Sequence, residues 1–258
     1  MKTIIYGVLE GITEWLPISS TGHLILLKSL LPLNVTSEFW SLFEVVIQLG
    51  AIMAVLLLYF NKLWPFNKNY KECIKLWLMI IISCIPSAIV GILFDEVFEK
   101  YFYNKTSIAF ALIIVGILFI VVEKYNKPGN KEITYKSAFI IGLAQVIAAI
   151  FPGTSRSGIT IITALLLGIS REKSTEFTFL MSVPVMFGAS FLKLFKFGFV
   201  FAESEALSLM FGTVSAFITS IFVIKFLLKY IKNNNFIPFG IYRIILGVLI
   251  LLWRSLIW

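Results

Sequence analysis

Two apolar stretches of this chain, residues 1–31 and 135–169, are each broken near the middle by a cluster of proline, serine, threonine and glycine. The first break reads Pro17-Ile18-Ser19-Ser20-Thr21-Gly22 and the second Pro152-Gly153-Thr154-Ser155-Arg156-Ser157-Gly158. Each half-stretch is shorter than the roughly 20 apolar residues that a membrane-spanning helix needs. Irregular backbone is tolerated at membrane depth only where protein buries it or where it lines a wet cavity. The pattern therefore predicts two re-entrant helix-loop-helix hairpins. A water-soluble fold is excluded by composition: 59% of the residues are hydrophobic and 14% charged, against about 25% charged in soluble domains.

Six further stretches, 42–60, 74–94, 107–123, 174–198, 207–229 and 238–257, are apolar without interruption. The expected fold is an all-α integral membrane protein, six transmembrane helices plus the two hairpins, in one membrane domain over 1–258. Lys62, Lys68, Lys71 and Lys75 follow the first span, Lys124, Lys127, Lys131 and Lys136 the third, and Lys229 and Lys232 the fifth. Basic loops are cytoplasmic. Asp95, Glu96, Glu99, Glu203 and Glu205 fall in the intervening loops, which puts both termini outside, the first hairpin entering from outside and the second from inside. The net charge of +8 reports these loops, so no nucleic-acid partner is expected. Cys73 and Cys84 lack CxxC spacing, and a single histidine, His23, excludes an HExxH zinc site. The amino-terminal stretch carries Glu10 and Glu14 and lacks the basic start and small-residue exit of a cleavable signal.

The two halves, approximately 1–123 and 135–258, run in the same order of hairpin and three spans. A shift of 135 positions lays Gly7 on Gly142, Glu10 on Gln145, Pro17 on Pro152, Ser19 on Thr154 and Ser20 on Ser155. An odd number of spans per half makes such a repeat inverted, the plan expected when broken helices build a site at mid-membrane.

Several residues could carry chemistry there. Glu10 and Glu14 are four apart and share one helix face. Carboxylates within a membrane are costly and usually functional, although a helix lying on the membrane surface would keep both in water. Together they could hold a divalent cation through oxygen ligands, or one could act as a general base. His23 follows the first break and is either a structural hydrogen-bonding residue or a catalyst. Gly153, Thr154, Ser155, Arg156 and Ser157 have the makings of an anion cradle: close backbone, hydroxyl donors, free helix amides and a planar guanidinium fork. Its alternative is a capping turn with a snorkelling arginine. Ser19 and Thr21 are the corresponding hydroxyls of the first break. Glu44 and Gln48 could orient Arg156 or a metal, or form a polar seam between helices. Lys193, Lys196 and Arg243 lie towards span ends and are read as interfacial or structural.

The segments Glu10-Gly11-Ile12-Thr13-Glu14-Trp15-Leu16-Pro17-Ile18-Ser19-Ser20-Thr21-Gly22-His23 and Pro152-Gly153-Thr154-Ser155-Arg156-Ser157-Gly158-Ile159-Thr160 resemble the two signatures of the bacterial undecaprenyl-diphosphate phosphatase family, the bacitracin-resistance type. Phe43 to Gly50, Ser182-Val183-Pro184 and Phe236 to Arg243 are similar to that family as well. The resemblance implies a multi-pass enzyme of the bacterial inner (plasma) membrane, with its site facing outward. It would convert undecaprenyl diphosphate to the monophosphate and phosphate, recycling the carrier of cell-wall precursors. It further implies that Glu10, Glu14 and Arg156 are required, that Ser20 and His23 belong to the catalytic centre, and that a divalent cation, Mg²⁺ or Ca²⁺ near Glu10 and Glu14, supports activity. The polyprenyl diphosphate and membrane lipids are the expected partners, and the oligomeric state is open, with a homodimer as one option. For the attacking group the sequence favours His23, oriented by a carboxylate such as Glu14, with Ser20 as a phosphate ligand; water is the third option. A lipid-phosphate flippase would use the same anion cradle without a nucleophile.

Overall fold

A computed structural model describes residues 1–66, 69–126, 129–198 and 200–256, without the side chains of Asp95, Glu96, Glu99 and 253–256. Lys68, Lys127 and those three acidic side chains, which entered the loop-charge argument, lie outside the described residues. The described chain is helical throughout, with one isolated bridge, between Lys131 and Ile169. The first break separates α1 (Lys2–Thr13) from α2 (Ser20–Leu30), and the second separates α7 (Tyr135–Ile150) from α8 (Arg156–Leu166). At 1.5 Å per residue the longest of these four, the 16 residues of α7, reaches only about 24 Å. None matches the roughly 30 Å hydrocarbon core.

Between and after the hairpins run α3 (Ser37–Leu58), the single turn α4 (Phe60–Leu63), α5 (Tyr70–Phe102), α6 (Lys105–Tyr125), α9 (Arg171–Phe197), α10 (Glu203–Tyr230) and α11 (Ile237–Leu256). Among the described residues, five helices are long and apolar enough to cross a membrane: α3, the Tyr70–Phe94 part of α5, α6, α9 and α10. The sixth expected span is α11, apolar over Ile237–Leu252 but shorter there than the other five. Helices α3 and α5 outrun the apolar stretches that announced them. Hydropathy marks only the lipid-facing length, whereas Thr36 caps α3 through the Phe39 amide, six residues before the apolar run starts.

Small residues set the packing. A Cβ on Gly7 of α1 would lie 2.1 Å from the Gly212 carbonyl oxygen of α10, and one on Gly11 would lie 2.7 Å from that of Ala216. Both helices thus present small residues four apart, which lets backbones approach where lipid offers no hydrophobic drive. Helix α7 makes the matching approach to α5, where a Cβ on Gly142 would sit 2.2 Å from the Ser83 carbonyl oxygen. Helix α3 packs between α10 and α9, and α6 packs along α11. Trp15, fully buried just past α1, meets Phe179 of α9 edge-on at 5.0 Å. Large apolar side chains such as Ile92, Phe191 and Phe222 stay exposed, as lipid contact requires.

Candidate active site

The two breaks are built alike. Ser19 (φ 74°, ψ 98°) and Ser155 (φ 67°, ψ 112°) are the described non-glycine residues with positive φ. Such backbone costs on the order of 1–3 kcal/mol per residue and persists where the surroundings enforce it. Each serine is an N-cap: Ser19 accepts from the Gly22 amide at 3.4 Å, and Ser155 from the Gly158 amide at 3.2 Å. Geometry thus equates Ser155, not Thr154, with Ser19, because two residues separate Pro152 from Ser155 and one separates Pro17 from Ser19.

Helix α1 carries Glu10 and Glu14 into this junction, with Glu14 at its carboxyl end and its amide still bonded to the Glu10 carbonyl at 2.9 Å. The Ser20 hydroxyl donates to Glu14 Oε2 at 2.7 Å, and Arg156 Nη2 donates to Glu14 Oε1 at 2.7 Å. One carboxylate therefore joins the first residue of α2 to the first residue of α8. The guanidinium is further fixed by the Thr178 carbonyl at 3.0 Å and by Met186 Sδ at 3.4 Å. These three contacts leave part of its five-donor fork for a ligand. The Ser157 hydroxyl lies 3.1 Å from that of Ser155 and 3.4 Å from the Glu14 carbonyl oxygen.

Glu10 is fully buried, and among the described residues neither of its carboxylate oxygens has a hydrogen-bonding partner. Glu14, Glu44 and Arg156 are the charged groups within its electrostatic reach. An orphaned carboxylate beside a second one is the donor set that a hard, oxygen-seeking cation takes, with water or substrate oxygens completing the shell. The residues fit Mg²⁺ or Ca²⁺ in that sense, although among the described residues no cluster of three or more His, Cys, Asp or Glu side chains surrounds the position.

His23 lies on the other side of the break. Its Nδ1 is 2.7 Å from the Ser19 carbonyl oxygen, so Nδ1 carries the hydrogen. In the neutral ring, Nε2 then accepts from the Tyr242 hydroxyl, also at 2.7 Å, and the two rings lie parallel at 5.6 Å. Next to Tyr242, Arg243 is fully buried in α11 and donates to the carbonyls of Pro17 at 3.1 Å, Gly153 at 2.9 Å and Thr154 at 2.8 Å. A single guanidinium thus ties both breaks together through their backbones.

The family model described as Bacitracin resistance protein BacA matches residues 3–249. The chain belongs to the BacA family. An "Undecaprenyl-diphosphatase" of Desulfitobacterium hafniense is 56% identical to it over 265 residues, 98% of this chain and 95% of that protein. "Undecaprenyl-diphosphatase 1" of Clostridium acetobutylicum is 54% identical over 98% of this chain and 96% of its own. "Undecaprenyl-diphosphatase" of Enterococcus faecalis is 50% identical over 97% and 95%.

In this BacA-family chain Glu10, Glu14, Ser20, Arg156 and Ser157 converge as the sequence anticipates. The hydroxyls of Ser19 and Ser155 act as helix caps, and the Gly153 and Thr154 carbonyls serve Arg243. Thr21 and Gln48 instead line a neighbouring cavity with Glu44. One expectation changes: Glu14 orients Ser20 and Arg156, whereas His23 is oriented by the Ser19 carbonyl and Tyr242. Of the two readings of Arg243, interfacial or structural, the structural one holds: it lies buried at the centre of the BacA site's scaffold. A charged side chain in an apolar helix was a usable signal for it, but nothing in the sequence links position 243 to positions 17, 153 and 154.

Proposed function

We propose that this chain is an undecaprenyl-diphosphatase: a membrane-embedded hydrolase that removes the terminal phosphate of a polyprenyl diphosphate and thereby confers bacitracin resistance. The observation that carries the reading is the Glu14 carboxylate held between the Ser20 hydroxyl and the Arg156 guanidinium where two helices begin. An isolated serine hydroxyl is a weak nucleophile until a base lies within hydrogen-bond reach. Ser20 has one.

The terminal phosphoryl group would sit between the breaks, its oxygens facing the remaining donors of Arg156 and the first-turn amides of α2 and α8. Glu14 takes the Ser20 proton as Oγ attacks the terminal phosphorus. The anhydride P–O bond breaks, and polyprenyl monophosphate leaves with the bonding electrons. Water then attacks the phosphoserine, Ser20 recovers its proton, and inorganic phosphate departs. Glu10, with Glu14 beside it, would hold the divalent cation, and such an ion when bound offsets the charge of the diphosphate. His23 and Tyr242 brace the strained Ser19 carbonyl, and so act on the break that presents Ser20.

The halves 1–123 and 135–258 are read as an inverted repeat, and the packing of α1 on α10 against that of α7 on α5 supports it. The second half has specialised: Gln145, in the place of Glu10, is buried and donates to the Ser87 hydroxyl. Lysine-rich loops support a bacterial inner-membrane orientation with the site facing outward.

Phosphate release from a prenyl diphosphate by purified protein in detergent tests the function, since no transport can be scored there. Release that vanishes in Glu14→Gln is expected. Binding of the lipid without release would instead identify a flippase.

A further inference from the structure

Next to the two breaks lies a cavity of about 200 Å³ that the mechanism above leaves unused. Its lining is divided. Ser41, Glu44, Gln48 and Lys193 supply polar groups, while Phe98 and Ile150 supply apolar surface. Thr21 and Pro152 also line it, and each adjoins a residue of the reaction centre, Ser20 and Gly153. Glu44 lies within electrostatic reach of Glu10 as well.

Lys193 decides what the cavity can take. It stands one turn from the end of α9, where a lysine ordinarily snorkels outward to water. Here the ammonium turns inward and donates to the Ser41 hydroxyl of α3 at 3.1 Å. Lys196, on the same turn, stays exposed. An inward-facing lysine in an apolar helix marks a wet, functional cavity more often than a packing device. It is the one cation among the described lining residues, and the cavity it lines adjoins both breaks through Thr21 and Pro152.

We infer that this cavity is the subsite for the lipid-side phosphate of the substrate, with Lys193 as its phosphate ligand and Phe98 and Ile150 receiving the first part of the prenyl chain. The ligand chemistry is a phosphomonoester on a hydrocarbon chain, which is also the lipid product. Phe94, Phe98 and Phe102 succeed one another along α5, and Phe102 meets Phe151 at 4.8 Å. That aromatic ladder gives the chain a route from the cavity to lipid. The inference rests on the diphosphatase reading for its substrate but not for its test.

Equilibrium binding of farnesyl monophosphate to the purified full-length protein in detergent is independent of turnover. Lys193→Met should weaken it by at least about tenfold, the loss of one charge-assisted hydrogen bond, and Lys193→Arg should restore most of it. Lys196→Met should bind as the unmodified protein does. Inorganic phosphate, competing at the Arg156 fork, should bind the unmodified and Lys193→Met proteins alike, which also shows that the variant is folded. Unchanged farnesyl monophosphate binding in Lys193→Met would overturn the subsite. So would an equal loss of both ligands, which would place Lys193 at the terminal phosphoryl group instead. A protein that shows the Lys193 dependence but releases no phosphate from a prenyl diphosphate would retain the subsite and refute the enzyme.

Discussion

The Ser20 hydroxyl donates to Glu14 at 2.7 Å, and the opposite oxygen of the same carboxylate takes Arg156 at 2.7 Å. Glu14 is therefore shared between the group that can attack phosphorus and the group that can hold it. The ion pair fixes the carboxylate in place, with 8% of its side chain exposed.

Arg156→Lys keeps the charge and loses the fork. A lysine ammonium cannot meet Glu14, the Thr178 carbonyl and a phosphoryl oxygen in one plane. Activity should fall by about 10²–10³-fold, as when one donor to a developing charge is removed, while yield and thermal stability in detergent stay close to those of the unmodified protein. Near-native turnover would return Arg156 to a structural role.

Arg243→Met should act on stability first. It leaves three buried backbone carbonyls without their donor, at about 1–3 kcal/mol for each one that stays unsatisfied. The unfolding temperature in detergent should drop markedly, and phosphate release should fall with it even well below that temperature, because the two breaks lose their shared anchor. An Arg243→Met protein of normal stability and activity would remove the clamp from the account.

Glu10→Gln tests the cation. The substitution keeps the shape and removes the charge from Glu10, to whose oxygens no group among the described residues donates a hydrogen bond. Chelation should abolish turnover of the unmodified enzyme, and Mg²⁺ or Ca²⁺ should restore it. The Glu10→Gln protein should need at least about tenfold more metal, since hard-cation affinity follows ligand charge. Full activity in chelator would leave Glu10 without a metal role.

Orientation is checked by single cysteines at Lys71, before the second span, and at Lys100, at its far end. The natural Cys73 and Cys84 are buried and can be replaced by alanine. An impermeant thiol reagent added to intact cells should label Lys100→Cys and spare Lys71→Cys. The reverse pattern would turn the site towards the cytoplasm.

What was legible in the sequence follows from what local chemistry encodes. Pro17 and Pro152 with their serine clusters announce the breaks, and the spacing of Glu10 and Glu14 announces a shared face, because each depends on neighbours within a turn or two. The helix-capping roles of Ser19 and Ser155 follow from local backbone, but sequence leaves capping turn and anion cradle both open for the second break, since both uses require the same residue types. Helix ends were misjudged at Ser37 and Phe102 because hydropathy stops where lipid stops. Arg243, Tyr242 and Thr178 were not legible as parts of the site. They reach it from α11 and α9, and no periodicity states which turn of a buried helix faces a break so distant in sequence. The same limit favoured His23 as attacker: Ser20 and His23 stand six and nine residues past Glu14 across an irregular break, and only the fold shows which one it touches.

The attacking group is where the account is tested most directly. Enzyme mixed with a prenyl diphosphate labelled in the terminal phosphate and quenched within a turnover should carry label that survives acid and is lost in alkali, as phosphoserine does, and Ser20→Ala should abolish both the label and phosphate release. Label that survives alkali and is lost in acid, mapping to His23, would contradict the assignment of Glu14 to Ser20, as would phosphate release by Ser20→Ala at the rate of the unmodified enzyme.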